Sequence, residues 1–414
     1  MREIFSNGEV LKNCKIFSML MAQSEREHHS FHTPGHKQNG WDITELSYSD
    51  NLSSPRGCIL QAERDIAKIL HAHRSFILTD GSTCGVFSML QAVKSLGAQG
   101  VAFCETAHKS VYNACFALGL VPLPYTQETP FINQATARAD VLLITSPDYY
   151  GRVADLALAR DYCEKYGKFL LVDGAHGGHL HFDQTLHASG FADMWVDGVH
   201  KSLPALTQGA VVSARSEKTA EALARAVEIF RTTSPSYPIM ASVEYAVKYP
   251  RNIQLESAVR AFKHPRVNKA RDWTKLCARF GKNAYTVKAQ LESEGIFAEF
   301  CDGDILAFYL SPATKMEEFE TLKTRLCALF EEYPLEYAKS NAVKTVVAVT
   351  SEMPTVWMPL ELCAGKVCAS PCGLFPPCTP LLTIGEIITE EKLEKLRFAD
   401  NVFGVCEGKI LVVK

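Results

Sequence analysis

Lys168-Phe-Leu-Leu-Val-Asp-Gly-Ala-His-Gly-Gly-His179 is the stretch whose reading decides the fold. Its first five residues are a short, mainly apolar run of the kind that forms a buried parallel strand, and Asp173 stands at the carboxyl end of that run. A second apolar run, Met194-Trp-Val196, leads into Gly198-Val-His-Lys-Ser202, which places Lys201 just beyond the next strand. A carboxylate and an amine therefore meet at one end of a sheet. In open α/β sheets that end is where ligands bind.

The same alternation extends outward. Ser75–Thr79 reads as a strand, Asp80-Gly-Ser-Thr-Cys-Gly85 as a turn, and Val86–Ser95 as a helix. That order presents free backbone N–H groups to a phosphate, and Ser82 and Thr83 add hydroxyl donors beside Gly81. Gly100–Cys104 and Val141–Thr145 are further strands; His108 opens one helix and Asp155–Tyr166 forms another. On the amino side, residues 1–30 predict one or two short helices. A non-helical turn with two histidines and a lysine, Ser30-Phe-His-Thr-Pro-Gly-His-Lys37, comes next, and Ile59–His73 is an amphipathic helix. On the carboxyl side, Gln208–Ser213 is a return strand and Glu217–Phe230 a helix. Alternating strands and helices predict an α/β fold with a mainly parallel sheet covered on both faces.

Around residues 255–275 the composition becomes more basic and the strand pattern stops. Beyond it, helices at Asn283–Glu294 and Met316–Tyr333 alternate with strands at Asp304–Leu310 and Ala342–Val349, the order of a small α+β domain. The expected division is an amino-terminal helical arm and turn (1–40), a large ligand-binding domain (41–260) and a small carboxyl-terminal domain (261–414). The proline-rich run Ser370–Pro380 leaves little room for regular structure, and it leads into Leu381-Leu-Thr-Ile-Gly-Glu386.

At 414 residues the chain has room for two domains and a large core. With 47% hydrophobic and 21% charged residues its composition is that of a soluble globular protein and excludes wholesale disorder. A formal net charge of −3 supplies no electrostatic attraction to nucleic acid or anionic membrane. No apolar run approaches the roughly 20 residues of a membrane-spanning helix. Met1–Lys15 lacks a signal-peptide core, so a cytoplasmic location is expected. There the 14 cysteines would be reduced thiols. Cys363, Cys368, Cys372 and Cys378 lack the close pair typical of structural zinc sites, and no metal is expected.

Asp173 alone would serve as a helix cap, Lys201 alone as a surface charge, and the Gly81–Thr83 turn alone as a cap. Together they suit pyridoxal phosphate: the lysine forms a Schiff base with the cofactor aldehyde, and the carboxylate keeps the pyridine nitrogen protonated. The rival is a metal site of His176, His179 and His181 beside Asp173. The flexible Gly177-Gly178, the alternating directions of strand side chains and the idle lysine oppose it. A third reading is a folded scaffold without chemistry.

These motifs resemble, in order along nearly the whole chain, those of the Orn/Lys/Arg decarboxylase family in its short form. The family has the fold type I, aspartate-aminotransferase-like architecture. His32-Thr-Pro-Gly-His-Lys37 is similar to the family's amino-terminal signature, and Asp80-Gly-Ser-Thr to its phosphate turn. His108-Lys-Ser110 resembles the ring-stacking segment, Val172-Asp-Gly-Ala-His-Gly177 the aspartate strand end, and His200-Lys-Ser-Leu-Pro-Ala-Leu-Thr-Gln-Gly209 the Schiff-base segment. Thr232–Tyr237 and Phe375–Glu386 resemble two later signatures.

The resemblance implies a homodimer or higher even oligomer with shared active sites that decarboxylates arginine, lysine or ornithine to a di- or polyamine. It implies Lys201 as the cofactor-bearing lysine, Asp173 at the pyridine nitrogen, His108 stacked on the ring and His176 near the phenolic oxygen. Gly81, Ser82 and Thr83 would hold the phosphate. His200 and Lys201 compete as proton donor, Glu386 would meet the substrate's distal cation, and His36 and Lys37 would serve the partner's site. Three positions depart from the pattern. Gly198 stands where the family has a phosphate-binding serine, Gly174 where it has a glutamate, and Cys378 where it has a glycine. The alternatives are an aminotransferase or carbon–sulfur lyase of the same fold, or a divergent member with weakened cofactor binding. Arg231 is the arginine that a transaminase reading would examine as the anchor for the substrate carboxylate.

Overall fold

The computed structural model describes residues 5–26, 29–37, 41–127, 130–335, 347, 353–375, 378, 380–399 and 401–414. The apolar runs assemble into a seven-stranded sheet. Its strands are β1 (Arg74–Leu78), β2 (Gly100–Cys104), β3 (Val121–Tyr125), β4 (Val141–Thr145), β5 (Phe169–Gly174), β6 (Met194–Asp197) and β7 (Ala210–Ala214). The spatial order is β1-β7-β6-β5-β4-β2-β3. Strands β3, β2, β4, β5 and β6 run parallel, while β7 is antiparallel to both of its neighbours. This is the expected α/β class, with β7 as the return strand.

The central strands are buried on both faces because alternate side chains feed different layers. Leu142, Ile144, Leu170 and Val172 pack on one face with Ile59, Leu156 and Tyr245. Val141, Leu143 and Leu171 pack on the other with Met89, Val111 and Leu223. Truncating one such leucine to alanine costs about 2–5 kcal/mol, so these strands hold their carboxyl ends in a fixed frame.

A three-stranded antiparallel sheet follows, with β8 (Lys275–Arg279), β9 (Phe300–Cys301) and β10 (Ile305–Tyr309) in the order β8-β10-β9. The helices Ala284–Ser293 and Met316–Glu332 close its core through Val287, Leu291, Phe319 and Leu326. Two smaller antiparallel sheets complete the described part. Thr355–Pro359 pairs with Lys409–Val413, and Cys372–Leu374 lies between Pro380–Leu382 and Val402–Phe403. Among the described residues no helix is long and apolar enough to cross a membrane.

Several elements differ from expectation. Strand β3 is Val-Pro-Leu-Pro-Tyr, whose two prolines argue against a strand; it is tolerated at the sheet edge, where one side needs no donors. β8 lies at the composition change that suggested a boundary. The proline-rich run contributes two short paired strands, Cys372–Leu374 and Pro380–Leu382. The strand expected at Ala342–Val349 lies, except for Val347, outside the described residues, as do Pro376, Pro377 and Thr379 of the late signature.

Candidate active site

A cavity of about 300 Å³ opens at the carboxyl ends of the parallel strands. Gly81, Ser82, Thr83, His108, Asp173, His176, His200 and Lys201 all line it. Asp173 is at the end of β5 and is 2% exposed; its Oδ1 accepts a hydrogen bond from the Ala175 N–H at 3.1 Å. Lys201 belongs to a single helical turn, Val199–Ser202, that follows β6 directly. Its Nζ lies 3.2 Å from His176 Nε2. Burial pushes the Lys201 ammonium below its ordinary range, with Asp173 opposing the shift. Burial likewise pushes the Asp173 carboxyl up against the attraction of Lys201. Both groups move toward their neutral forms because desolvation outweighs their mutual attraction.

The three histidines at the cavity are held neutral for the same reason. His176 meets the edges of Tyr149 and Tyr309, with ring centroids 4.7 and 5.5 Å away. Burial, then Lys201 and Lys275, hold it well below its usual value. His108 caps the helix Lys109–Leu118: its Nδ1 accepts the Ser110 N–H at 3.1 Å, which assigns the ring proton to Nε2. Burial, followed by Lys201 and Lys109, lowers it to about 3. His200 Nδ1 donates to the Gly209 carbonyl at 2.8 Å, leaving Nε2 as the free-electron-pair nitrogen. Burial lowers its pKa as well.

The helix expected from Val86 begins five residues earlier, at Gly81, so Ser82 and Thr83 lie in its first turn. Gly81 has φ +72°, a turn that glycine makes without strain, and its N–H donates to the Gln208 carbonyl at 2.9 Å. Ser82 Oγ is buried without a hydrogen-bond partner. Across from it stands Gly198. A Cβ at position 198 would lie 2.5 Å from the Ala175 carbonyl oxygen and 2.7 Å from Ser82 Oγ. The missing serine is thus a consequence of close packing: the Ser82 hydroxyl fills the place that a side chain at 198 would take.

Other expected residues lie elsewhere. Glu386 is buried in the carboxyl-terminal part, where Thr383 N–H and Oγ1 donate to its carboxylate at 3.1 Å and Lys392 pairs with it. His36 pairs with Asp42 at 3.1 Å, and Lys37 Nζ donates to the His32 carbonyl on an exposed turn. None of the three lines the Lys201 cavity within one chain. Arg231 is committed to the fold, donating to the Leu52 carbonyl at 2.5 Å and pairing with buried Glu63 at 3.4 Å. The histidines of the metal reading have separate partners: Lys201 for His176, Asp272 for His179 and the Gly178 carbonyl for His181.

Three comparisons bear on this arrangement. Residues 126–276 match the model of the Orn/Lys/Arg decarboxylase major domain. The protein YaaO of Bacillus subtilis (strain 168) is 28% identical, over 93% of this chain and 94% of that protein. An arginine decarboxylase of the same organism is 24% identical, over 91% and 92%. By these matches the chain is similar to the Orn/Lys/Arg decarboxylase family, at the distance of a divergent relative. Its fold is similar to that of lysine decarboxylase A from Pseudomonas aeruginosa, with a TM-score of 0.72 at 15% identity, covering 97% of this chain and 80% of that one.

Enzymes of the Orn/Lys/Arg decarboxylase family use pyridoxal phosphate, and the cavity has a donor set suited to it. An unpartnered hydroxyl on Ser82 at a helix start suits a phosphate, and a buried carboxylate on Asp173 suits a ring N–H. Cys378, where the family has glycine, has φ +63°; the backbone keeps the turn that glycine favours and adds a thiol to the cavity wall. Sequence reasoning missed Tyr149, Tyr309, Glu299 and a buried network behind His176. In that network Asp272 accepts from His179 at 2.8 Å, and Lys275 Nζ lies 3.5 Å from the His176 carbonyl. The Ser146-Pro-Asp148 turn after β4 was a signal for Tyr149, whereas residues 272–309 offered none.

Proposed function

We propose that this chain is a pyridoxal phosphate-dependent decarboxylase of a basic amino acid, acting as a cytoplasmic homodimer, with residues 41–260 as its cofactor-binding domain. The observation that carries the reading is the meeting of Lys201, His176 and Asp173 in the cavity that Ser82 also lines. The cofactor, when bound, supplies a ring that withdraws the electron pair left on the α-carbon by departing carbon dioxide. The chain's part is to hold and to move protons. Lys201, with its ammonium destabilised by burial, has the more nucleophilic amine. Asp173, with one backbone donor on Oδ1, would satisfy its charge against a protonated ring nitrogen. His108 offers a neutral ring for stacking. His176, next to Lys201 Nζ, would orient the amine and the phenolic oxygen. Lys201 Nζ, and His200 once its Nε2 has taken up a proton, with the ring fixed by the Gly209 carbonyl, are the candidate proton carriers to the α-carbon.

Arg231 supports decarboxylation over transamination, since that guanidinium is bound to Glu63 and two carbonyls rather than offered to a substrate carboxylate. Arginine, lysine and ornithine are the substrates to test. Purified protein should absorb visible light, yield a borohydride-reducible adduct on Lys201, and release carbon dioxide and an amine from one of them. A colourless protein with no adduct after cofactor addition defeats the enzyme reading. Colour without carbon dioxide defeats the decarboxylase reading alone.

A further inference from the structure

We propose that Glu299, at the start of the small antiparallel sheet, is the residue that receives the distal cation of the substrate; this rests on the basic amino acid reading above. Among the described residues two carboxylates line the cavity. Asp173 lies at its buried end, whereas Glu299 is solvent-exposed and borders the same cavity. A basic amino acid engaged at Lys201 must direct its distal ammonium or guanidinium away from that lysine, and the cavity's second carboxylate is Glu299. The backbone there is rigid: Glu299 N–H donates to the Ala307 carbonyl at 2.8 Å, and Phe300 pairs with Ala307 in the sheet. No hydrogen bond or ion pair to its carboxylate is seen among the described residues, so its charge is available to a ligand. Glu386, which the motif resemblance assigned to this role, is paired with Lys392 and accepts hydrogen bonds from Thr383 outside the cavity. The cation site thus comes from the antiparallel sheet rather than from the carboxyl-terminal signature.

The test compares wild type, Glu299→Gln and Glu299→Asp. Calorimetric titration with agmatine, cadaverine and putrescine reads binding directly. Steady-state kinetics with arginine, lysine and ornithine, and with citrulline and norleucine as isosteres without the charge, read specificity. A partly exposed charge-assisted contact is worth about tenfold in affinity. Glu299→Gln is therefore expected to weaken amine binding and raise KM for the preferred basic amino acid by about that factor. Values of kcat, and handling of the isostere, should remain within a few-fold, and Glu299→Asp should recover part of the loss. An active wild type whose Glu299→Gln variant keeps the same amine affinity and KM overturns this assignment and leaves the decarboxylase reading standing. A wild type that neither binds these amines nor consumes these amino acids overturns both.

Discussion

Restoring the serine that the family pattern places at position 198 should harm this protein. A Cβ there would approach the Ala175 carbonyl oxygen to 2.5 Å, where real Cβ atoms essentially never come under 3.0 Å. Ala175 cannot yield freely, because its N–H donates to Asp173 Oδ1 at 3.1 Å. The Gly198 carbonyl accepts from Lys201 N–H at 2.9 Å, so moving that turn displaces the lysine instead. Overpacking of this kind costs about 1–3 kcal/mol. Removing glycine's freedom from the unfolded chain returns about 0.4–1 kcal/mol, and the net loss is about 1–2 kcal/mol. In a domain of roughly two hundred residues that corresponds to a fall in Tm of about 2–8 °C. Gly198 has φ −83°, open to any residue, so the clash is steric and Gly198→Ala should fall by a similar amount. Thermal unfolding of the cofactor-free protein, followed by near-ultraviolet circular dichroism, measures this, and a visible-absorbance titration measures cofactor affinity. Both variants should melt earlier, and neither should bind cofactor more tightly. A Gly198→Ser protein with wild-type Tm and tighter cofactor binding would refute the packing argument and show that the absent hydroxyl is what limits the site.

Two further outcomes follow from the same geometry. Ser82→Ala removes the unpartnered hydroxyl facing Gly198. It should weaken cofactor binding by roughly 10–100-fold, the worth of a hydrogen bond to a charged group, with Tm of the cofactor-free protein unchanged or slightly raised; equal affinity in an absorbance titration would count against the phosphate role. Asp272 contributes to acid sensitivity. Burial would raise its carboxyl, but His179, then Lys275, overcome this and hold it below the ordinary carboxylate range. A depressed folded value means that the unfolded chain binds more protons in acid. The contribution is complete above about pH 5 and is lost progressively as pH falls through the unfolded value toward the folded one. Tm measured from pH 3 to pH 6 should therefore fall less steeply with acid in Asp272→Asn, from a lower neutral baseline because Lys275 loses its counter-charge. Parallel curves would contradict the assignment.

The α/β class and the arrangement of the main site were legible in the sequence because both rest on short-range rules. Leu170, Leu171 and Val172 form a run that only a strand buried on both faces can use, and a strand of known direction fixes which end carries Asp173. Lys201 follows from the same reasoning one strand later. Residues whose importance depends on distant partners were not legible. The small sheet brings Glu299 to the cavity, and Tyr309 and Lys275 to His176, from more than seventy residues beyond Lys201, and nothing local to those positions announces it. Glu386 shows the converse, a glutamate in a persuasive motif that tertiary packing pairs with Lys392. Gly198 shows it most plainly. In the sequence it is a missing hydroxyl; in the fold it is the space occupied by the Ala175 carbonyl and Ser82. Local pattern determined which strand ends carry Asp173 and Lys201, because hydrophobic period and chain direction are properties of neighbouring residues. Only the packing of separate segments decided what surrounds those ends, because contact, burial and charge depend on atoms that the chain order does not bring together.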